Sequence, residues 1–219
     1  MRVADRRLRH ARDVLAAKPG DELSVGRIGG RLGRGTVVRI DAGALELEVA
    51  LERDPPPPHP AALALALPRP PSLRKVLQQA TALGVKRFLL FASARVEKSY
   101  WQSSGLRPDA LREQLLLGLE QAGDCALPEI GTARRFRDFA ERDLPALAQG
   151  APLLVAHPGA PALAAGDAGR ACVLVVGPEG GFVPRELETL AAAGARTVGL
   201  GPRALRVETA VVALLARVG

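Results

Sequence analysis

A run of prolines divides this chain of 219 residues into two parts with different sequence patterns. Residues 54–60 read DPPPPHP, and the ALALALPRPPS that follows contains further prolines. Because proline lacks a backbone N–H and has a fixed φ, we expect neither a continuous helix nor a central strand across this stretch. The prolines therefore predict a domain boundary, with one domain over residues 1–67 and a larger one over residues 68–219.

The first part has the pattern of short strands joined by turns. GDELSVGRI, TVVRI and ALELEVALE are separated by GGRLGRG and DAG. Apolar residues alternate with polar ones at Leu45, Leu47 and Val49, which is typical of half-exposed strands. We therefore expect a small β domain here.

In the second part, helical and strand patterns alternate. Apolar residues at helical spacing predict a helix that begins at an N-cap, Ser72, and ends near Gly84, with further helices over 108–121, from Pro184, and over 204–218. Continuous apolar runs predict buried strands over 85–92, 152–156, 171–176 and 196–200. This alternation predicts an α/β fold with a mainly parallel sheet.

Charge and cysteine content limit the class of protein. The net charge of +7 favours a polyanionic partner. However, most of the basic residues are arginines, which also follows from genomic base composition, so an ordinary basic surface is the alternative. Cys125 and Cys172 have no spacing typical of metal sites, so we expect buried thiols in a reducing cytoplasm and no metal. Because the apolar stretches are short and Met1 is followed by RVADRRLRH, we expect no membrane segment and no signal peptide.

Two glycine-containing loops follow predicted strands, where parallel α/β sheets bind ligands. The first, Gly177–Gly181, reads GPEGG and matches neither a Walker loop nor a dinucleotide fingerprint. The second, LGPRALRVETA, places Arg206 and Glu208 near a helix start. Arg206 could hold a phosphate or a base oxygen, or form an ion pair with Glu208 or Glu179; spacing alone favours the ion pair.

Together these two motifs resemble the paired signature of the bacterial 16S ribosomal RNA uridine-N3 methyltransferases, the RsmE family of the SPOUT superfamily. QQATALGVKRFLLFASAR and LEQAGDCALPEI also resemble segments of that family, so the resemblance covers residues 66–219. RLRHARDVLAAKPGDELSVG resembles the start of the family's small PUA-like β-barrel.

The resemblance implies a SPOUT domain with a trefoil knot near the carboxyl end, a homodimer, and S-adenosylmethionine bound by the knot. The implied cofactor-binding residues are Gly177, Glu179, Gly180, Gly181, Leu200, Gly201, Leu205 and Arg206. His157 would lie on a third loop of the knot, although a histidine beside a proline is more often an ordinary loop residue.

The resemblance also implies methylation of the N3 atom of a uridine in 16S ribosomal RNA, in the assembled small subunit. Our hypothesis is that Arg206 stabilises negative charge on the uracil carbonyls and that Glu208 orients Arg206 or helps take the proton. Capping of the last helix explains Glu208 equally well. In the small domain, we expect phosphate contacts from Arg6, Arg7, Arg9, Arg31 and Arg34. The alternative is an ordinary solvated basic surface.

Three positions depart from the family pattern: Gln79 stands where the family commonly has Lys, Ala82 where it has Glu, and Asp124 where it has Arg. VEKSYWQSSGL at 96–106 is also particular to this chain or its subgroup. These departures affect the expected RNA contacts and dimer surface more than methyl transfer. Two alternatives stay open, a methyltransferase that acts on a ribose hydroxyl and an RNA-binding assembly factor without activity.

Overall fold

The computed structural model describes residues 1–219, with the side chain of residue 165 left aside, and the chain forms two compact units. One comprises Met1–Pro56 with Gly123–Ala126, and the other comprises Pro57–Ala122 with Leu127–Gly219. This division lies upstream of the boundary expected at 67/68, because the strand that follows the prolines pairs within the second unit.

The first unit is built on a four-stranded antiparallel sheet. Its strands are β1 (Arg2–Val3), β2 (Glu22–Gly26), β3 (Leu32–Ile40) and β4 (Leu45–Arg53), in the order β1-β4-β3-β2. Helix α1 (Arg6–Arg9) continues into a π-helical turn at His10–Val14, and Leu8 packs with Val37 and Leu47 in the core. The expected strands are therefore present, whereas closure of this sheet into a barrel stays a prediction.

The second unit contains a six-stranded sheet in which every pair of strands is parallel. The strands are β5 (Ala61–Ala66), β6 (Arg87–Phe91), β7 (Glu129–Ala133), β8 (Leu153–Ala156), β9 (Cys172–Val176) and β10 (Arg196–Val198). Their order is β10-β8-β9-β5-β6-β7. The predicted α/β fold with a parallel sheet is confirmed.

Strand β5 lies in the middle of this sheet, between β9 and β6. All of its residues are buried. The expectation of no central strand in this stretch was wrong, because the prolines flank the ALALAL segment instead of interrupting it. Pro60 precedes the strand and Pro68 follows it, so no proline removes a hydrogen bond from the ladder.

Helices cover both faces of the parallel sheet. The helices are α2 (Pro70–Ala82), α3 (Pro108–Ala122), α4 (Phe136–Asp138), α5 (Leu144–Ala148), α6 (Pro184–Ala192) and α7 (Val207–Val218). A π-helical turn at Phe139–Asp143 and 3-10 turns at Lys98–Gln102, Ser104–Leu106 and Ala165–Asp167 complete the set. Successive side chains of β5 point to opposite faces of the sheet. Leu63 and Leu65 pack on the face covered by α2, α3 and α7, and Ala62 and Ala64 pack on the face covered by α5 and α6.

Two helix boundaries differ from those expected. Helix α2 begins at Pro70 rather than after Ser72, because proline is well suited to the first helical turn, where no intrahelical N–H bond is needed. Helix α7 begins at Val207, three residues after its expected start. Gly84 follows α2 with a φ of 92°, which agrees with the expected helix stop.

His59, in the proline-rich segment, is half-buried beside β5. Its Nδ1 accepts the N–H of Ala61 at 3.0 Å, and its Nε2 lies 3.1 Å from the carbonyl oxygen of Leu215. Burial lowers the pKa of His59, against a smaller raising effect of the Leu215 carbonyl. The neutral ring therefore connects the start of β5 to α7.

Both cysteines are buried, as expected, and within the described residues neither forms a disulfide. Across the described residues, no helix has the length and apolar character needed to cross a membrane.

Candidate active site

Three loops at one edge of the parallel sheet surround an open cavity, whose empty space with the solvent at its mouth is about 680 Å³. They follow β8, β9 and β10, which are neighbours in the sheet, so their carboxyl ends meet. We call this space the first cavity. It is lined by Ala156, His157, Pro158, Val176, Gly177, Pro178, Glu179, Gly181, Val198, Gly199, Leu200, Gly201, Arg203, Leu205, Val207, Ala210 and Leu214. A largely apolar wall with exposed loop backbone is typical of a site for a small organic ligand.

Glycines allow the loop backbone to border the first cavity. Gly181 and Gly201 have φ values of 69° and 99°, which other residues adopt only with strain. A Cβ on Gly177 would lie 3.1 Å from the Phe182 ring. The backbone conformation therefore favours glycine at 181 and 201, and packing against Phe182 favours it at 177. Glycines at these positions leave peptide N–H and C=O groups accessible to a ligand.

Most of the residues expected to bind a cofactor line the first cavity. His157 is half-buried there, and its backbone N–H bonds to the carbonyl oxygen of Val198 at 2.9 Å. Gly180 and Arg206 are the two that do not line it. Gly180 instead lies beneath Arg95, whose guanidinium donates to its carbonyl oxygen.

Glu179 joins the GPEGG loop to the loop that follows β5. Its Oε1 accepts the backbone N–H of Arg69 at 3.1 Å and the Nε of the same arginine at 3.3 Å. Because β5 and β9 are adjacent, this bond connects neighbouring carboxyl ends of the sheet.

Glu186 is a buried carboxylate that the sequence analysis missed. Its Oε2 accepts from the hydroxyl of Ser93 and from the backbone N–H of Val183, both at 3.1 Å, and its Oε1 accepts the N–H of Ala94 at 2.7 Å. The bond to Val183 is one half of a capping box, and a glutamate three residues into the helix after GPEGGFV was the available signal. The carboxylate holds the start of α6 against the segment that follows β6.

Glu208 faces α2, which packs against α7 on the same side of the sheet. It accepts a hydrogen bond from the Ser72 hydroxyl, and its Oε1 lies 3.5 Å from the Nζ of Lys75. The pKa of Glu208 is lowered, first by the bond to its own backbone N–H and then by Ser72 and Lys75. Its carboxylate is therefore stabilised in the charged form.

Arg206 is the N-cap residue of α7 and is exposed. The ion pair with Glu208 or Glu179 that spacing favoured is not formed, because these carboxylates bind Lys75 and Arg69 instead. The carbonyl oxygen of Arg206 accepts the N–H of Ala210, whereas within the described part of the chain its guanidinium has no hydrogen-bond or ion-pair partner.

The arginines expected to contact RNA are exposed in the first unit: Arg6, Arg7, Arg9, Arg31 and Arg34. Three of them form exposed ion pairs: Arg7 with Asp5, Arg31 with Asp54, and Arg34 with Glu22. Exposed ion pairs of this kind contribute about 0–1 kcal/mol, so a phosphate can compete for the same guanidinium groups.

The three departures from the family pattern lie in different environments. Gln79 is exposed and Ala82 half-buried on α2, whereas Asp124 is buried in the first unit and accepts the N–H of Ala126 at 2.9 Å. Among the described side chains, no group of three His, Cys, Asp or Glu residues could hold a metal ion.

Comparison with known proteins identifies the family. A family model described as an RNA methyltransferase domain matches residues 55–219. The ribosomal RNA small subunit methyltransferase E of Mycobacterium tuberculosis is 32% identical over 218 residues, covering 96% of this chain and 82% of the relative. The protein of the same name from Treponema pallidum is 30% identical over 222 residues, covering 97% of this chain and 82% of the relative.

A crystal structure of ribosomal RNA small subunit methyltransferase E from Neisseria gonorrhoeae, bound to S-adenosyl methionine, has the same fold. The TM-score is 0.77 at 23% identity, over 99% of this chain and 89% of that one. The extent of these matches and the intact GPEGG and LGPRALRVETA loops lead to one conclusion: the chain belongs to the ribosomal RNA small subunit methyltransferase E family.

Proposed function

We propose that this protein transfers a methyl group from S-adenosylmethionine to the N3 atom of a uridine in 16S ribosomal RNA. The observation that carries the proposal is the first cavity, because both signature loops border it at the carboxyl ends of adjacent strands. The names of the relatives and the ligand of the Neisseria gonorrhoeae protein support the same reaction.

The first cavity suits S-adenosylmethionine in the groups that line it. The backbone of Gly177, Gly181 and Gly201 would bind the polar parts of the cofactor, and Leu200 and Leu205 would contact its apolar parts. When bound, S-adenosylmethionine supplies an electrophilic sulfonium methyl group. The remaining task of the protein is to place the uracil ring nitrogen and to favour loss of its proton.

Arg206 is the proposed catalytic residue. Loss of the N3 proton places negative charge on the uracil oxygens, and an unpaired guanidinium can stabilise that charge. Glu208 does not contact Arg206 in this structure, and its lowered pKa makes it a weak base. We therefore assign Glu208 the role of fixing the start of α7 against α2.

The rest of the proposal concerns assembly and RNA binding. The chain would form a knotted SPOUT domain and a homodimer, and the arginines of the first unit would contact phosphates of the small ribosomal subunit. The target uridine must be unpaired or flipped out before its N3 atom becomes accessible.

The proposal is tested by transfer of tritiated methyl groups to small ribosomal subunits. Arg206→Ala should lower kcat by a factor of about 10²–10³, the usual effect of removing one group that stabilises developing negative charge, and leave the Kd of S-adenosylmethionine unchanged. Arg217→Ala is a matched control, because Arg217 is an exposed arginine of the last turn of α7. Wild-type activity of Arg206→Ala would refute the role of Arg206, and an inactive wild-type protein would refute the reaction.

A further inference from the structure

We propose that a second cavity, next to the first, binds an unpaired nucleotide of the RNA strand that carries the target. This inference rests on the proposed function. The second cavity is also open, with an empty space of about 960 Å³ including the solvent at its mouth, and it lies within the second unit. Its walls are the loop after β5, the first two turns of α2, the segment at 100–107 and the start of α3.

The position of the second cavity places its ligand close to the methyl donor site. The loop after β5 forms one wall, and Arg69 in that loop is bonded to Glu179 of the GPEGG loop. Glu179 itself lines the first cavity. The Arg69–Glu179 ion pair therefore links the segments that border the two cavities, at the edge of the sheet where substrates of parallel α/β folds bind.

The polar groups in the second cavity suit a nucleobase. Tyr100 lines it, and the bond from its hydroxyl to Glu97 at 3.0 Å holds the ring, which offers a surface for base stacking. Gln114 is only 9% exposed, and its Oε1 accepts from Gln78 at 2.7 Å. Its amide nitrogen has no partner among the described residues and can donate to a base carbonyl.

The charges at the rim of the second cavity suit a phosphate. Arg74 and Arg107 line it, with Glu113 as the opposing charge. Arg107 forms an exposed ion pair with Asp109. By contrast, the guanidinium of Arg74 has no hydrogen-bond or ion-pair partner within the described chain. The Gln114 amide, the Tyr100 ring and the unpaired Arg74 guanidinium suit the edge of a base, the face of a base and a phosphate, respectively.

Binding of a short fluorescent oligouridine tests this proposal, with Kd measured over a range of salt concentrations. Arg74→Ala should raise Kd about threefold to tenfold and reduce the slope of log Kd against log salt by about 0.7, the value for one phosphate contact on a single strand. Arg112→Ala is the matched control, because Arg112 is also an exposed helical arginine but lies outside both cavities. It should change neither quantity beyond the small effect of net charge.

A second variant blocks the cavity with an apolar side chain. Ala110→Phe, at the start of α3, should raise the Kd of oligouridine about tenfold and leave the Kd of S-adenosylmethionine and the circular dichroism spectrum unchanged. Oligonucleotides with 5-iodouridine should form a photochemical cross-link within the peptide that contains Tyr100.

Three results would overturn the proposal: wild-type binding by both variants, cross-links confined to other peptides, or a change of oligomeric state in Ala110→Phe with normal RNA binding. The last would make the cavity a contact between copies of the chain. Because the binding assay requires no methyl transfer, an inactive wild-type protein would refute the proposed function and still leave the cavity tested by Arg74→Ala.

Discussion

Removal of the Glu186 side chain should destabilise the second unit and weaken cofactor binding together. This carboxylate is 5% exposed and accepts three hydrogen bonds from Ser93, Ala94 and Val183. The residue after Ala94 is Arg95, whose guanidinium binds the carbonyl oxygen of Gly180. Loss of Glu186 therefore releases both the start of α6 and the side chain that contacts the GPEGG loop.

The size of the effect follows from these bonds. Hydrogen bonds to a charged group contribute about 1.5 kcal/mol or more each, and loss of a helix cap costs about 1 kcal/mol. Loss of two such bonds and one cap should lower the free energy of unfolding of Glu186→Ala by about 4 kcal/mol. The decrease is about 3 kcal/mol if water replaces the carboxylate at the N–H of Ala94, which is exposed. For a domain of this size the melting temperature should fall by about 6–16 °C.

Thermal unfolding and calorimetric titration of S-adenosylmethionine measure the two consequences. Glu186→Gln keeps one acceptor oxygen and should lose about half as much stability as Glu186→Ala. Glu188→Ala is the control, because Glu188 is an exposed glutamate on the same helix. The reasoning fails if Glu186→Ala melts within about 2 °C of Glu188→Ala, since one kcal/mol corresponds to that shift.

Three further predictions concern other parts of the second unit. The folded-state pKa of His59 lies below its ordinary 6.5, so stability should decline as the pH falls below about 6.5; unfolding curves of His59→Asn should have a weaker pH dependence, whereas those of His10→Asn should match wild type. Burial raises the pKa of Cys172 to about 11, so iodoacetamide should label it in denaturant and not in the native protein at about pH 8; fast native labelling would contradict its burial. A Cβ on Gly199 would lie 2.3 Å from the carbonyl oxygen of Ala160, so Gly199→Ala should lower both the melting temperature and the affinity for S-adenosylmethionine; unchanged titration and unfolding would show that the loop adjusts without cost.

Local patterns were sufficient to predict the class of fold. Strand and helix periodicities depend on neighbouring residues, so the α/β alternation after the prolines could be identified from the sequence. The position of β5 could not, because a high local density of prolines predicts an interrupted strand, whereas the prolines around ALALAL only flank it. A short apolar run between prolines is compatible with a fully buried parallel strand.

The candidate site was predictable in its loops and not in its charge pairs. Both glycine motifs could be placed after strands, and they border one cavity. The partners of Glu179 and Glu208 are 110 and 133 residues away in sequence, so only the tertiary structure identifies them. The same applies to the second cavity, whose walls come from four separate segments.

The central claim is the identity of the methylated atom, and nucleoside mass analysis tests it most directly. Small ribosomal subunits from a strain without this activity would be incubated with the protein and S-adenosylmethionine, and their 16S RNA would then be digested and mapped. The account predicts 3-methyluridine at one position. A 2′-O-methyl nucleoside, or no new methyl group although S-adenosylmethionine binds, would contradict it.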